Sequence, residues 1–320
     1  MTPTRDTIPA RDTIPARDTI PDGRGADNLR GAGLMTLAMT GFTLNDACVK
    51  LLSQDLPLMQ VVALRGTLAC LLLLVAGRML GHYRRGLATR TDWGLMGLRG
   101  LFELAAAWTF LTALVHMPLA NLTAILQALP LAVTLGAALF FAEPVGWRRW
   151  AAIGAGFVGV LLIVRPGGDI FTIYSVLGVV TVAFAAGRDL VTRRLSRAVP
   201  TFLVTLVSAG LVTVMGFALS LPGGWQPVGA GQAGLIALSA LFMLVAYLGI
   251  IGAMRVGEIG YVAPFRYTGL IVALLAGWAV FGEFPEALTL AGAAIVVGSG
   301  LFSFWRERRL GLARPKVPPR

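Results

Sequence analysis

The chain has 320 residues, of which 56% are hydrophobic and only 13% are charged, and its mean hydropathy is +0.76. These values exclude an ordinary soluble domain and predict a polytopic membrane protein. The net charge of +11 would suggest nucleic-acid binding in a soluble chain, but here the basic residues lie in short segments between apolar runs. No nucleic-acid partner is therefore expected. Cys48 and Cys70 both lie inside apolar runs, so no disulfide framework is expected either.

The segment before Gly31 differs in character from the rest of the chain. Between Arg5 and Pro21 it repeats the unit RDTIPA, which combines charge with proline and contains no long apolar run. This composition predicts a disordered tail over residues 1–30, and we favour a functionless tandem duplication over a partner-binding role. The tail also lacks the apolar region of a secretory signal, so the first membrane segment is expected to stay in the mature protein.

Ten apolar runs follow, each close to the roughly 20 residues that cross a membrane as a helix. They cover residues 31–52, 58–79, 93–114, 119–141, 147–164, 173–192, 201–221, 231–254, 259–281 and 287–305. Pro130 and Pro264 lie inside the fourth and ninth runs, where the missing N–H is expected to kink or open the helix. The predicted fold class is therefore all-α, with ten transmembrane helices and a basic tail at residues 307–320.

The basic residues predict the orientation of these helices. With the N-terminus in the cytoplasm, 22 of the 27 lysines and arginines lie on the cytoplasmic side, three lie within segments, and only Lys50 and Arg165 lie on the other side. An excess of lysine and arginine is typical of cytoplasmic loops. We therefore expect a multi-pass protein of the bacterial inner membrane, with both termini in the cytoplasm.

One hairpin occurs twice in the sequence. Residues 120–165 contain an apolar run, a Phe-x-Glu turn and a second apolar run rich in small residues, and the same order returns from Gly260. Arg148 and Arg149 follow the first turn, whereas no basic residue follows the second, so the two turns are expected on opposite sides of the membrane. The turn glutamates are Glu143 and Glu283.

This repeat divides the chain into two similar halves, residues 31–166 and 172–306. The first helices of the halves also correspond, because Asn45-Asp46 and Lys50 match Arg188-Asp189 and Arg193 in order and spacing. Each half contains five spans, an odd number, so the halves must have inverted topology. Inverted repeats are the architecture of many secondary transporters, whose substrate site lies near the midplane. Alternating access by rocking of the two halves is the expected mechanism.

With these features the chain resembles the ten-helix drug/metabolite transporter superfamily, in its EamA-domain branch. The segments that carry the resemblance are Asn45-Asp46-Ala47 to Lys50, Leu64-Arg65-Gly66, Ala113-Leu114, Met117 to Asn121, the two Phe-x-Glu turns with Gly159 and Gly298 after them, and Pro264-Phe265-Arg266-Tyr267. They cover residues 34–306. The sequence around Arg65 and Pro264 is most similar to the branch of riboflavin and S-adenosylmethionine uptake proteins.

The resemblance implies a carrier of small organic metabolites. Uptake of a riboflavin-type or S-adenosylmethionine-type compound is one interpretation, and export of amino acids or drug-like metabolites is the alternative. A channel is a more distant alternative. Protons or a counter-substrate are the candidate coupling partners, and a homodimer is an open alternative to a monomer. No cofactor is expected.

Charged residues within the spans predict the translocation site. An arginine or aspartate at the centre of a membrane helix costs roughly 2.5 to 3.5 kcal/mol, so such side chains must face protein or water. Arg99, Glu103 and Arg266 lie at similar depth, and Arg99 is spaced to form an i, i+4 ion pair with Glu103. Glu103 is also the candidate for proton coupling. Tyr267, Tyr247, Trp108 and Gln127 complete the predicted substrate-binding set.

A second set of charged residues is predicted to form gates or ion pairs. Asp46 and Arg65 lie at similar depth on neighbouring helices, with Lys50 one turn from Asp46. They are interpreted as an outer gate or a structural clamp in preference to substrate ligands. Asp189 is expected near the cytoplasmic end as a partner of Arg193. The alternative for the Glu103 set is likewise an ion-pair network that only holds helices together.

An enzymatic function is not expected. Hydrolytic or metal-dependent chemistry needs a motif such as HExxH, a carboxylate pair or a Cys/His set at ligand spacing, and the sequence contains only two isolated histidines. No metal site is therefore predicted. The small organic substrate and the lipid bilayer are the expected partners.

Overall fold

The computed structural model describes residues 22–79, 81, 89–143, 145–167, 171–196 and 198–309. The elements in these ranges are all helical, which confirms the predicted all-α class. They are α1 (Asp22–Leu52), α2 (Leu58–Met79), α3 (Arg90–His116), α4 (Leu119–Leu126), α5 (Leu129–Phe141), α6 (Trp147–Val164), α7 (Ile173–Thr192), α8 (Thr201–Ser220), α9 (Ala230–Val256), α10 (Ile259–Val262), a 3-10 helix (Ala263–Tyr267), α11 (Thr268–Phe281) and α12 (Ala287–Arg309).

Nine segments in the described ranges are long and apolar enough to cross a membrane. The protein is therefore a polytopic membrane protein, as predicted. α1 is not among the nine although it has 31 residues, because polar residues such as Asn45, Asp46 and Lys50 lower its hydropathy. Its role as a tenth span stays a prediction. α1 begins at Asp22, within the segment assigned to the tail, and the predictions for residues 1–21 and 310–320 lie outside the described residues.

The fourth and ninth predicted spans are both interrupted near their prolines. α4 ends at Leu126 and α5 begins at Leu129, with Pro130 in its first turn. α10 ends at Val262, and the following 3-10 helix contains Pro264. Proline has no N–H to donate and its ring clashes with the preceding turn, so a regular α-helix does not continue through it. The predicted interruptions are confirmed, and they create irregular backbone in the middle of the bundle.

α5 and α11 end in the same local structure at the two Phe-x-Glu turns. Ala142 and Gly282 are left-handed, with φ of 51° and 65°. The N–H groups of Glu143 and Glu283 donate to the carbonyl six residues earlier, over 3.4 Å and 2.9 Å. This is the Schellman ending of a helix, which satisfies carbonyls that would otherwise lack a donor. The two turns that the sequence repeat pairs therefore present their glutamates alike.

The most extensive helix packing joins the first half of the chain to the second. The main pairs are α1 with α9, α3 with α7, α2 with α8 and α6 with α12. At the α6 and α12 crossing, a Cβ on Gly159 would lie 2.7 Å from the carbonyl oxygen of Gly292, so only glycine permits this approach. At Gly298, by contrast, a Cβ would meet no atom within 4 Å, so this glycine makes no comparable approach.

The packing gathers the remaining helices around α1 and α7. α1 contacts α9, the 3-10 helix and α11, and we call this group the α1 body. α7 contacts α3, α4 and α5, and we call this group the α7 body. Each body therefore contains helices from both halves of the chain. The largest apolar core is centred on α4, α6, α11 and α12, with residues such as Leu122 and Val296, and it also includes residues of α1, α3 and α7, so it reaches both bodies.

Contacts between connections define two ends of the bundle. At one end, the last turn of α1 contains Lys50, and the Gln60 side chain donates to the Gln226 carbonyl over 2.7 Å. We call it the Lys50 end. At the other end, Arg193 follows the last residue of α7, and the N–H of Ser196 donates to the carboxylate of Asp92 over 3.1 Å. We call it the Arg193 end.

Candidate functional site

Four charged side chains from α3 and α7 form one cluster within the bundle. Arg99 lies 3.5 Å from Glu103, which confirms the predicted i, i+4 pair. Arg188 contacts the other oxygen of Glu103 at 3.3 Å and the carboxylate of Asp189 at 2.9 Å. All four side chains are partly shielded from solvent. We call them the Glu103 cluster.

Hydroxyl groups fix the orientation of Arg99 in this cluster. Its Nε donates to Thr192 of α7 over 3.0 Å, and its Nη1 donates to Ser208 of α8. Arg99 therefore connects α3 with α7 and α8, while its carboxylate partner Glu103 lies on α3, the same helix as Arg99. The charged atoms keep their hydrogen bonds inside the membrane span, which lowers the free-energy cost of their burial.

Sequence reasoning missed Arg188 as a site residue. Its position close to the end of an apolar run places it among the bases that mark the cytoplasmic side. Its contact with Glu103 shows that it belongs to the interior cluster. The signal was present in the repeat, since Arg188-Asp189 corresponds to Asn45-Asp46 of the first half.

Two residues of the α1 body approach the Glu103 cluster from the opposite side. Tyr247 on α9 lies within electrostatic range of Arg99, Glu103 and Arg188, and its ring meets Phe42 edge-on at 5.4 Å. Arg266 on the 3-10 helix has Asp189 and Arg188 as its main electrostatic neighbours. Arg266 therefore neighbours the Asp189 side of the cluster, and its predicted grouping with Arg99 and Glu103 stays a prediction. The interior site lies between the two bodies.

Three other predicted ligands lie apart from this cluster. The Tyr267 ring is only 7% exposed and its hydroxyl lies against the backbone of Gly300 on α12, where it packs two helices together. Trp108 is 45% exposed and belongs to an outer stripe of α3 with Leu101. Gln127 caps α4 at the break before α5.

A second polar cluster lies closer to the Lys50 end. The Asn45 side-chain oxygen accepts hydrogen bonds from Arg65 at 2.8 Å and from Ser239 at 2.9 Å, while its amide donates to Asp46 at 3.0 Å. Asn45, Arg65 and Ser239 are buried, and Arg65 and Asp46 attract each other electrostatically. We call these residues the Asn45 cluster. It joins the predicted partners Asp46 and Arg65 through an asparagine that sequence reasoning treated only as a motif residue.

Lys50 is not part of the Asn45 cluster, although it is one turn from Asp46. Its ammonium group lies 2.8 Å and 2.9 Å from the two carboxylate oxygens of Glu283 and donates to the Met117 carbonyl over 2.9 Å. It also lies 4.8 Å from the centre of the Phe281 ring. The N–H of Leu119 donates to Glu283 over 3.3 Å. The predicted gate residue Lys50 therefore binds the second Phe-x-Glu turn.

A related arrangement occurs at the Arg193 end. Arg193 lies 3.5 Å from Glu143 of the first Phe-x-Glu turn, and Arg194 lies 4.7 Å from the centre of the Phe141 ring. The expected pair of Asp189 with Arg193 is therefore corrected, since Asp189 binds its neighbour Arg188 and Arg193 binds Glu143. In the part of the chain that the structure describes, no three His, Cys, Asp or Glu side chains are grouped to hold a metal ion.

A bundle of membrane-spanning helices, with interrupted helices and partly shielded ion pairs inside it, is typical of the class of polytopic transport proteins. The profile of the EamA-like transporter family matches residues 29–165. The riboflavin transporter of Vibrio cholerae serotype O1 is 30% identical over 285 residues, covering 88% of this chain and 95% of that protein. The chain belongs to the EamA-like transporter family, and it is a transporter, as predicted.

Other relatives extend over most of the chain as well. The pseudopaline exporter CntI of Pseudomonas aeruginosa is 27% identical and covers 82% of this chain and 92% of its own length. The S-adenosylmethionine uptake transporter of Rickettsia felis is 25% identical and covers 88% of this chain and 94% of its own length. A solved crystal structure of a protein that is 22% identical aligns with a TM-score of 0.58 over 90% of this chain and 98% of that chain. That likeness supports the fold alone.

Proposed function

We propose that this protein is a secondary carrier that moves a small organic metabolite across the bacterial inner membrane by alternating access. The observation that carries the proposal is the Glu103 cluster, where two arginines and two carboxylates lie inside the bundle and face Tyr247 and Arg266 of the other body. A charged residue in a membrane span is costly and is typical of a substrate or ion pathway. A purely structural network would not need the excess of positive charge described next.

The charge of the site favours one kind of ligand. Arg99, Arg188 and Arg266 together outnumber Glu103 and Asp189 by one positive charge. A substrate with an anionic group or several strong hydrogen-bond acceptors would balance this excess. Tyr247 adds an aromatic ring and a hydroxyl at the same place. These groups suit a planar ring system with carbonyl acceptors, such as that of riboflavin.

The names of the relatives are consistent with this choice. Riboflavin transporters of Vibrio cholerae and Rhizobium johnstonii are 30% and 32% identical to this chain. S-Adenosylmethionine carries a sulfonium cation, which the excess positive charge would repel, so we place it second. We therefore propose riboflavin-type uptake first, S-adenosylmethionine-type uptake second, and export third. Export is kept because the similar pseudopaline exporter covers most of the chain.

The orientation and repeat organisation complete the proposal. With both termini in the cytoplasm, the Lys50 end is periplasmic and the Arg193 end is cytoplasmic. We include α1 as the tenth span and interpret residues 31–166 and 172–306 as inverted repeats. Under an exchange of the halves, α1 corresponds to α7, α2 to α8, α3 to α9 and α6 to α12. The pair of α1 with α9 then becomes the pair of α7 with α3, and the pairs of α2 with α8 and α6 with α12 stay the same. The set of main helix pairs therefore supports this interpretation.

The packing also suggests which parts move. Rocking of the halves as rigid units would break all four main helix pairs, which run between the halves. Movement of the α1 body against the α7 body would keep the α1 with α9 and α3 with α7 pairs intact. We therefore propose that these two bodies alternate around the Glu103 cluster, with α2 and α8 between them. Interiors as closely packed as these switch between discrete arrangements and do not deform continuously.

Uptake by the purified protein in proteoliposomes tests the function. Radiolabelled riboflavin should accumulate saturably, and preloading with unlabelled riboflavin should accelerate its entry by exchange, which a channel would not do. S-Adenosylmethionine and an amino-acid mixture serve as competitors. Uptake of neither riboflavin nor a competitor, in either direction of reconstitution, would overturn the proposed carrier function for these substrate classes.

A further inference from the structure

The proposed carrier function gives no role to the glutamates of the two Phe-x-Glu turns. Each of them lies beside a cation that comes from the other half of the chain. Glu283 binds Lys50 at 2.8 Å, and Glu143 binds Arg193 at 3.5 Å. The sequence repeat relates these pairs, since Lys50 corresponds to Arg193 and Glu143 to Glu283. The same ion pair is therefore built once at each end of the bundle.

At the Lys50 end this pair connects the two bodies. Lys50 and Glu283 belong to the α1 body, at the ends of α1 and α11. The carbonyl of Met117 and the N–H of Leu119 belong to the connection between α3 and α4 in the α7 body. Lys50 donates to the Met117 carbonyl over 2.9 Å, and Glu283 accepts from the Leu119 N–H over 3.3 Å. We call these four groups the Lys50 clamp, and it closes this end by fixing one body to the other.

The repeat predicts the matching groups at the Arg193 end. The sequence offset that relates Glu143 to Glu283 also relates Met117 to Gly257 and Leu119 to Ile259. Gly257 and Ile259 form the connection between α9 and α10 in the α1 body, while Arg193 and Glu143 belong to the α7 body. A clamp equivalent to the first would therefore have Arg193 donating to the Gly257 carbonyl and Glu143 accepting from the Ile259 N–H.

The structure has one clamp closed and the other open. Within the described ranges, neither Arg193 nor Glu143 makes a hydrogen bond to the connection between α9 and α10. Their side chains are 48% and 49% exposed, whereas those of Lys50 and Glu283 are 8% and 30% exposed. The N–H of Glu258 in that connection instead binds Asn28 of α1 over 2.9 Å. The Arg193 pair is therefore formed but not docked on the opposite body.

We propose that the Lys50 clamp and its counterpart around Arg193 and Glu143 are the two gates of the carrier and close alternately. Glu283 and Glu143 are then functional residues of transport. Each glutamate and the cation that it binds form the side of a gate that moves against the connection of the opposite body. The structure corresponds to the state closed at the Lys50 end. With the termini in the cytoplasm, that state is open to the cytoplasm. This inference rests on the proposed carrier function but concerns access, not substrate choice.

The two clamps differ in the strength expected from their surroundings. A buried charge that loses its partner is left uncompensated, so opening the Lys50 clamp must bring water to Lys50. An ion pair that is half exposed contributes little by itself, because water screens it. Removal of the Glu283 charge should therefore change the balance between states strongly, and removal of the Glu143 charge should change it weakly.

Labelling of matched reporter cysteines tests the gates. With Cys48 and Cys70 replaced by alanine, the variants Asn121→Cys and Tyr261→Cys place reporters two residues beyond Leu119 and Ile259, behind the respective clamps. An impermeant maleimide is applied from either side of oriented vesicles. Glu283→Gln keeps the shape of the side chain and removes its charge. It should raise the labelling rate of the Asn121→Cys reporter roughly tenfold and lower that of the Tyr261→Cys reporter.

The matched control is Glu143→Gln, for which less than about a twofold change in either rate is expected, since its clamp is already open. If Glu283→Gln gives no folded protein, Glu283→Asp keeps the charge but shortens its reach, and a smaller change in the same directions is expected. Unchanged labelling of both reporters in the folded Glu283 variant, or equal effects of the two glutamine variants, would overturn the proposal. Labelling needs no substrate, so a shift of access without any transport would count against the carrier function alone.

Discussion

The Asn45 cluster and the Glu103 cluster correspond to each other under the proposed repeat, but they distribute charge differently. The sequence offsets that relate Lys50 to Arg193 and Glu143 to Glu283 also define the pairs Asn45 with Arg188, Asp46 with Asp189, Arg65 with Ser208, and Ser239 with Arg99. Each cluster thus has one aspartate. Arg65 of the Asn45 cluster corresponds to Ser208, and Arg99 of the Glu103 cluster corresponds to Ser239. The Asn45 cluster has one arginine and one aspartate, whereas the Glu103 cluster has an excess of positive charge once Arg266 is included.

This difference separates a holding role from a binding role. In the Asn45 cluster the arginine, asparagine and serine are buried and the asparagine bonds to both of the others, so the cluster leaves few polar groups for a ligand. In the Glu103 cluster the charged groups are partly exposed and lie opposite Tyr247 and Arg266. The same architectural position therefore stabilises the α1 body in one half and supplies the proposed substrate site in the other.

The largest expected effect on stability comes from the matched residues Asn45 and Arg188. Asn45→Ala removes the acceptor of a buried arginine while Asp46 remains as its counter-charge, and loss of a hydrogen bond to a buried charged group costs about 1.5 to 3 kcal/mol. Arg188→Gln leaves Glu103 paired with Arg99 and leaves Asp189 with Arg266 as an electrostatic neighbour, so a smaller loss than for Asn45→Ala is expected. Thermal unfolding of both variants in the same detergent measures the difference. Equal losses would contradict the assignment of different roles to the two clusters.

A smaller effect is expected at the serines. Ser239→Ala removes a buried hydrogen bond to Asn45 and should cost about 1 kcal/mol of unfolding free energy. Ser208→Ala removes a contact of Arg99, which keeps its hydrogen bond to Thr192 and its ion pair with Glu103. A loss of no more than about 0.5 kcal/mol is expected there, together with weaker uptake. If Ser208→Ala proves the more destabilising variant, the Glu103 cluster has the greater structural role.

Much of this organisation was predictable from the sequence. Apolar runs, prolines and the Phe-x-Glu repeat predicted the helices, both interruptions and the common turn structure, because these depend on local chemistry. The pair of Arg99 with Glu103 was predictable for the same reason, since residues four apart on a helix are neighbours. The equivalence of the two halves stays a proposal, which rests on residue correspondences at fixed offsets in the sequence.

The partners between distant helices could not be predicted in the same way. Depth along a helix placed Lys50 with Asp46, but rotation about the helix axis turns Lys50 toward Glu283. Arg188 looked like a topology signal, since its position near the end of a run does not reveal that its side chain points inward to Glu103. Trp108 and Tyr267 were predicted as ligands from their chemistry, yet which face a side chain occupies depends on the packing of neighbouring helices.

The most direct test of the central claim is uptake by Glu103→Gln. Glutamine keeps the shape and the hydrogen bonding of the side chain but removes the charge that Arg99 and Arg188 share. A transport role predicts a monodisperse, folded variant whose riboflavin uptake is lost or no longer depends on pH, while Trp108→Phe, on the outer stripe of α3, keeps wild-type uptake. Wild-type uptake by folded Glu103→Gln with an unchanged pH profile would contradict the assignment of the Glu103 cluster as the translocation site.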